Sequence, residues 1–223
     1  IGLLKKTIKK ELGTEGRLEY SIIMENAAKN AHPYSVRMPT SNSSAVKNPD
    51  YQSVDKPVFS ADPMNLFVVV ETGDHHATIL DGDRFEPITR FPTRFALHGG
   101  PKFSSDGRFV YFMSRDGWIT KYDIWALKVV AEVRGGINSR NIALSKDGKH
   151  IALANYLPHS LVILSADDLS VEKIFEAKDA AGNSSRVSAV YQARPRDSFV
   201  VALKDVPELW EIATDPNAPP VYP

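Results

Sequence analysis

The chain has 223 residues, 43% of them hydrophobic and 24% charged, a balance suited to one large globular domain or two small ones. Its 27 basic and 27 acidic side chains cancel, which leaves no electrostatic footprint for nucleic acid or an anionic membrane surface. The absence of cysteine excludes disulfides, thiolate metal sites and a C-x-x-C-H haem attachment.

The opening "IGLLKKTIKKEL" reads as an amphipathic helix, part of a helical segment running to about residue 30. Ile1, Leu4, Ile8 and Leu12 share a stripe, with the lysines mostly off it. Its apolar core is too short for a secretory signal, and no later run approaches the ~18 apolar residues of a spanning helix. Composition alone leaves the compartment open. From Asn30 to Pro57 the sequence turns rich in Ser, Asn and Pro and reads as a linker. The expected division is therefore 1–57, helix and linker, and 58–223, a β domain.

After Pro57, short runs of β-branched and aromatic residues alternate with turn clusters: "NLFVVVE", "HATILDG", "RFVYFMS", "WITKYDI", "KVVAEV", "IALANY", "SLVILSA", "VEKIFEA", "SFVVALK", "ELWEIA". The phrase beginning "KFSSDGRFVYF" recurs as "ALSKDGKHIAL". Asp106 and Asp147 mark the repeat, and 147 − 106 gives a period of 41. A four-stranded unit at ~40–45 residues with Asp-Gly turns is the pattern of a β-propeller blade. The fold expected is all-β, a partial propeller of about three and a half blades. Propellers typically close with 4–8 blades, so the chain reads as a piece of a larger ring, with roughly four further blades, or as one completed by partner strands.

Blade topology sorts the loops. With strands a to d running outward from the channel, d–a links and b–c turns open on one rim, and a–b and c–d turns on the other. The first rim collects His98 in the d–a link "FALHGGPK", Arg115 in the b–c turn "RDG" and Arg140 in the next d–a link. It also collects Tyr156 and His159 in "NYLPHS", Arg186, Lys204, and His75 and His76 in "ETGDHH". Lys102 and Arg94 lie near His98 in sequence. The opposite rim holds turn chemistry, "SSDG", "DGD", "SKDG" and "SADD", with His150 as its exception. Histidine, arginine, lysine and tyrosine around a channel mouth suit a planar, multiply anionic ligand, since arginine pairs carboxylates bidentately. Gly99 and Gly100 are expected to leave room for such a ligand against the backbone.

The stretches "RFALHGGPKFSSDGRFVYFMSRDGWITKYDIW", "INSRNIALSKDGKHIALANYLPHSLVILSADDL" and "SSRVSAVYQA…FVVALKDVPELWEI", with "NLFVVVETGDHHATILDGDRFEPI" before them, resemble the haem d1 domain of the cytochrome cd1 family over residues 58–222. The likeness is strongest to its dihydro-haem d1 dehydrogenase branch, with nitrite reductase a more distant match. It implies an eight-bladed propeller holding haem d1 or dihydro-haem d1, with His98 as proximal axial ligand to the haem iron. It further implies that Arg115 and Arg140 grip the macrocycle's carboxylates, with Tyr156 beside the pocket. Lys102 and Arg186 join the cofactor-binding set. The implied function is a segment of a dihydro-haem d1 dehydrogenase-like oxidoreductase in haem d1 biosynthesis and denitrification. The alternatives are part of a cytochrome cd1 nitrite reductase and a non-catalytic propeller presenting a protein-binding rim. The implied setting is periplasmic, with a c-type cytochrome domain or other electron acceptor as partner. The family's fused haem c domain would need C-x-x-C-H, which is missing here, and its distal-side residues belong to later blades. The base for dehydrogenation is therefore not identified; His75, His76 and His159 are its weak candidates.

Overall fold

A computed structural model describes residues 45–218 apart from Pro195 and Pro216. The helix expected over the first 30 residues lies outside the described residues. Within them the fold is strands and turns. β2 (Leu66–Glu71), β3 (His76–Asp81) and β4 (Pro87–Pro92) form one three-stranded sheet. β5 (Lys102–Phe103), β6 (Phe109–Met113), β7 (Trp118–Asp123) and β8 (Lys128–Arg134) form the first complete blade. β9 (Asn138–Leu144), β10 (His150–Leu157), β11 (Ser160–Ser165) and β12 (Val171–Glu176) form the second. β13 (Val187–Ala193), β14 (Ser198–Leu203) and β15 (Leu209–Ala213) form the last sheet. Every pairing is antiparallel between consecutive strands, apart from β1 (Val46–Lys47), which adds to the outer edge of β8. The partial propeller expected from the repeat is what folds, and its sheets do not close into a ring.

Two kinds of turn repeat with the blades. In the a–b turns, Ser104 Oγ donates to Asp106 at 2.5 Å and Ser145 Oγ to Asp147 at 2.6 Å. Gly107 and Gly148 take φ of 71° and 74°, which glycine adopts without Cβ strain. In the c–d turns, the carboxylates of Asp81 and Asp123 and the hydroxyl of Ser165 each accept two backbone N–H groups of the turn. Each such turn ends on an apolar residue at positive φ: Phe85 at 58°, Leu127 at 52° and Leu169 at 62°. Their spacing is constant, since 127 − 85 and 169 − 127 both give 42. A side chain in this region is strained by roughly 1 kcal/mol, and the polar cap at the turn's start holds it there.

Blades stack face to face, so inner strands lose the polar-out alternation of a one-sided sheet. Tyr122, Val110, Phe112 and Ile79 fill the first interface, and Leu161, Val190, Phe199 and Val201 the second. Full burial of a side chain of Phe199's size contributes about 1.5–3 kcal/mol, and Phe199 is 1% exposed. The end sheets keep one bare face each. Phe67 and Val69 on β2 stand 49% and 42% exposed, and Tyr191 and Leu209 64% and 73%, where a neighbouring blade would cover them.

The stretch before Pro57 differs from a free linker where it is described. Val46 and Lys47 pair with Glu132 and Ala131, and just past Pro57 the Val58 N–H donates to Trp125 O. Tyr51 Oη donates to Asp123 at 2.8 Å, and Ser53 Oγ accepts from Arg108. The outermost strand of a blade offers an unpaired row of backbone groups, and Val46 and Lys47 occupy part of it.

Candidate functional site

The rim that collects d–a links and b–c turns is built by a braid of backbone hydrogen bonds. The link before β5 runs antiparallel to the end of β6. His98 N–H donates to Met113 O, Arg115 N–H donates to Ala96 O, and Leu97 bridges Ser114. Ser139 N–H then donates to Arg115 O, which ties the next blade's innermost strand to the same turn. Three candidate residues from two blades are thus set beside one another by main-chain contacts alone. Arg140 lies inside β9 as its third residue, slightly beyond the link where the sequence placed it.

His98 is half-buried, and its Nδ1 lies 2.6 Å from Arg140 O. A carbonyl only accepts, so Nδ1 carries a proton, and in the neutral imidazole Nε2 keeps its lone pair. This is the arrangement a metal-ligating histidine requires, with the second nitrogen oriented by a backbone acceptor. Arg115 is exposed, and no carboxylate among the described residues meets its guanidinium or that of Arg140. An unoccupied imidazole nitrogen and two guanidiniums without a carboxylate partner on one rim fit an anionic, iron-bearing macrocycle.

The two glycines differ in role. Gly99 has φ of 81°, and a Cβ there would stand 2.9 Å from Arg140 O and 3.0 Å from Asn141 Cβ. Its missing side chain makes room for the neighbouring blade, which corrects the expectation that it makes room for a ligand. Gly100, at φ 65°, faces open space. Gly99→Ala should therefore lower thermal stability by about 1–3 kcal/mol, whereas the same change at Gly100 should cost only its backbone strain. Thermal unfolding of the pair checks this.

Lys102 extends back under the glycines, its Nζ 3.4 Å from both Gly99 O and Gly100 O, and burial pushes its ammonium pKa down. Arg94 is committed elsewhere. It pairs with Glu132 and lies 4.0 Å over Trp118, between sheets. His75 Nδ1 accepts from Ala96 N–H at 3.3 Å, supporting the link that carries His98, while His76 Nδ1 donates to Asp74 O. His159 Nδ1 lies 2.7 Å from Ser184 Oγ, and burial lowers its pKa. On the opposite rim, His150 Nδ1 pairs with Glu172 at 2.6 Å.

A second cluster centres on Tyr156. Arg140 stands 4.6 Å and Arg186 5.2 Å from the ring centroid, and Lys204 Nζ donates to the phenol oxygen at 3.0 Å. The Lys204 hydrogen bond, with the three positive charges, holds the phenol pKa below its ordinary value. Arg186 clamps Asp205 at 2.5 Å, and that clamp keeps the Asp205 carboxyl well below the usual carboxylate range. Beside Tyr156 in the chain lies fully buried Asn155. It accepts from Ser139 Oγ and donates to Gly135 O and Ser160 Oγ, fixing the positions next to Arg140 and Tyr156. The sequence carries no signal for Asn155 beyond its place beside Tyr156. The Lys204–Tyr156 contact joins residues 48 apart, on blades whose pairing no local pattern encodes.

Among the described residues no group of three His, Cys, Asp or Glu side chains could hold a bare metal ion. No helix of the described residues is long and apolar enough to cross a membrane.

The Cytochrome D1 heme domain family matches residues 61–219. "Dihydro-heme d1 dehydrogenase" of Pseudomonas aeruginosa is 67% identical over 168 residues, covering 75% of this chain and 34% of that protein. The solved structure of dihydro-heme d1 dehydrogenase NirN in complex with DHE superposes with a TM-score of 0.75 at 56% identity, over 92% of this chain and 46% of that one. The β-propeller domain of Cps50 (Swd1) from Myceliophteria thermophila matches with a TM-score of 0.53 at 14% identity, covering 63% of this chain and 47% of that one, a likeness of fold alone. The chain spans about a third of the length of its dehydrogenase relative.

Proposed function

This chain belongs to the Cytochrome D1 heme domain family, and from that premise we propose that its blades hold haem d1 or dihydro-haem d1 within a dihydro-haem d1 dehydrogenase-like oxidoreductase of haem d1 biosynthesis. The observation that carries the reading is the 2.6 Å contact from His98 Nδ1 to Arg140 O, which frees Nε2 for iron and fixes the ring's plane. Sequence identity of 67% to the dehydrogenase favours that branch over a nitrite reductase.

When bound, the haem supplies the redox centre, and the protein's part is binding, orientation and electrostatics. His98 would hold the iron through Nε2, its ring oriented by the Nδ1 bond to Arg140 O. Arg115 and Arg140 meet carboxylates that would otherwise be costly to desolvate. Lys102 adds positive charge close to the axial ligand. Dehydrogenation removes two electrons and two protons. In this reading the two electrons leave one at a time to a carrier such as a c-type cytochrome, and the two protons leave to basic groups of the protein and on to solvent. The periplasmic setting of the family is part of the same proposal.

The test is to add haem d1 to the complete polypeptide that carries these blades and follow the absorption spectrum. A saturable shift of the Soret band at one haem per chain supports the reading. A spectrum identical to that of free haem d1 overturns it.

A further inference from the structure

We propose that Lys204 is a positioning residue that fixes Tyr156 as a hydrogen-bond donor to one carboxylate of the tetrapyrrole. The inference rests on the haem d1 reading above and names a residue for which neither the turn chemistry nor the family match gives a role.

An ammonium only donates, so in the 3.0 Å contact the Tyr156 oxygen accepts from Lys204 Nζ. The phenol's own hydrogen is thereby turned away from Lys204, and no acceptor among the described residues receives it. Two arginines lie against the ring, Arg140 from β9 and Arg186 from the link before β13. Of the charged and titratable groups around the phenol, Arg140, Arg186 and Lys204 are cationic and Asp205 is anionic, with His159 the remaining titratable neighbour. Asp205 is already clamped by Arg186, through its side chain and through Arg186 N–H at 2.9 Å. The net field at the phenol is therefore positive. A phenol in such a field is a stronger donor and favours an anionic acceptor.

The position of the pair suits that acceptor. Tyr156 is the penultimate residue of β10 and Lys204 follows β14, both at b–c turns, on the rim that carries His98 and Arg115. Lys204 N–H is held by Arg186 O at 2.9 Å, so the backbone at this turn does not depend on the lysine side chain. The exposed ammonium has one named side-chain partner among the described residues, the phenol.

Lys204→Met keeps the aliphatic stem and removes the donor. In the complete polypeptide it is expected to weaken haem d1 binding roughly tenfold, as Tyr156→Phe should, because a hydrogen bond to a charged group is at stake. The double variant should bind no worse than Tyr156→Phe alone, the signature of one residue acting through another. Without haem, the tyrosinate absorbance that disappears in Tyr156→Phe should titrate at higher pH in Lys204→Met, since the lysine's hydrogen bond lowers that pKa. Lys204→Arg should restore part of both effects. Wild-type uptake of haem d1 with equal affinity in Lys204→Met overturns this inference and leaves the functional reading standing. Additive losses in the double variant overturn it too, because Lys204 then meets the ligand by itself. A wild type that takes up no haem d1 overturns the functional reading, and this inference with it.

Discussion

Replacing His98 with alanine in the complete polypeptide should lower haem d1 affinity by more than ~100-fold, given that losing even an outer partner of a metal ligand costs roughly 10–100-fold. The bound spectrum should lose its imidazole-ligated character, and added imidazole should restore it. The fold should survive, because the contacts that set this link are mostly main-chain. His98 N–H to Met113 O, Arg115 N–H to Ala96 O and the Leu97–Ser114 bridge do not involve the imidazole. Only the Nδ1 bond to Arg140 O is lost, and alanine leaves that carbonyl facing a partly solvated space. Absorption and paramagnetic resonance spectra of the haem-loaded variant check the prediction; a spectrum unchanged from wild type would remove His98 as the ligand.

Asp123→Ala should be among the most destabilising single changes in these blades and should leave haem d1 affinity alone. The Asp123 side chain is fully buried at the end of β7. One oxygen accepts from Tyr51 Oη at 2.8 Å and from Arg108 at 2.8 and 3.2 Å; the other accepts from the N–H groups of Trp125 and Ala126. Alanine would leave Arg108 without its carboxylate and two turn amides without an acceptor, and would release Tyr51 from the blade. Breaking one partner out of a buried pair costs about 3–5 kcal/mol; access of water to the outer edge of Arg108 places the expected loss near the lower end. For a domain of this size the melting temperature should fall by on the order of 10 °C. The c–d turn belongs to the rim opposite His98, so the variant's haem d1 affinity should match wild type once folded. Calorimetry and a haem titration on the same sample separate the two effects.

The blade repeat was legible because Asp-Gly turns have a steric cause that any occurrence shares. Ser104–Asp106–Gly107 and Ser145–Asp147–Gly148 form the same hydrogen bonds. The c–d turns were less legible. Phe85, Leu127 and Leu169 adopt a left-handed backbone that apolar residues rarely take, and only the cap from Asp81, Asp123 or Ser165 makes it tolerable. The docking of Val46–Lys47 on β8 was hidden because two residues amid Ser, Asn and Pro carry no strand pattern of their own. Sorting loops by strand order brought His98, Arg115 and Arg140 to one rim, since alternation of turns is a property of the topology rather than of side chains. Which cations were committed was not legible. Arg94 with Glu132 and Arg186 with Asp205 pair across loops and sheets, and a sequence does not state who faces whom. Gly99 shows the same limit: its φ was foreseeable, its contact with Arg140 O was not.

Paired haem d1 titrations of Arg115→Ala and Asp106→Ala distinguish the two rims. Arg115 stands exposed on the His98 rim with no carboxylate partner among the described residues, and Asp106 sits in an a–b turn on the other rim, bonded to Ser104 and Arg108 N–H. Removing Arg115 should weaken binding by roughly 10- to 100-fold, as expected for one charge-assisted pair, while the iron's axial signature stays intact. Asp106→Ala should bind as wild type does and alter stability at most. Equal affinities for haem d1 in the two variants would contradict the account.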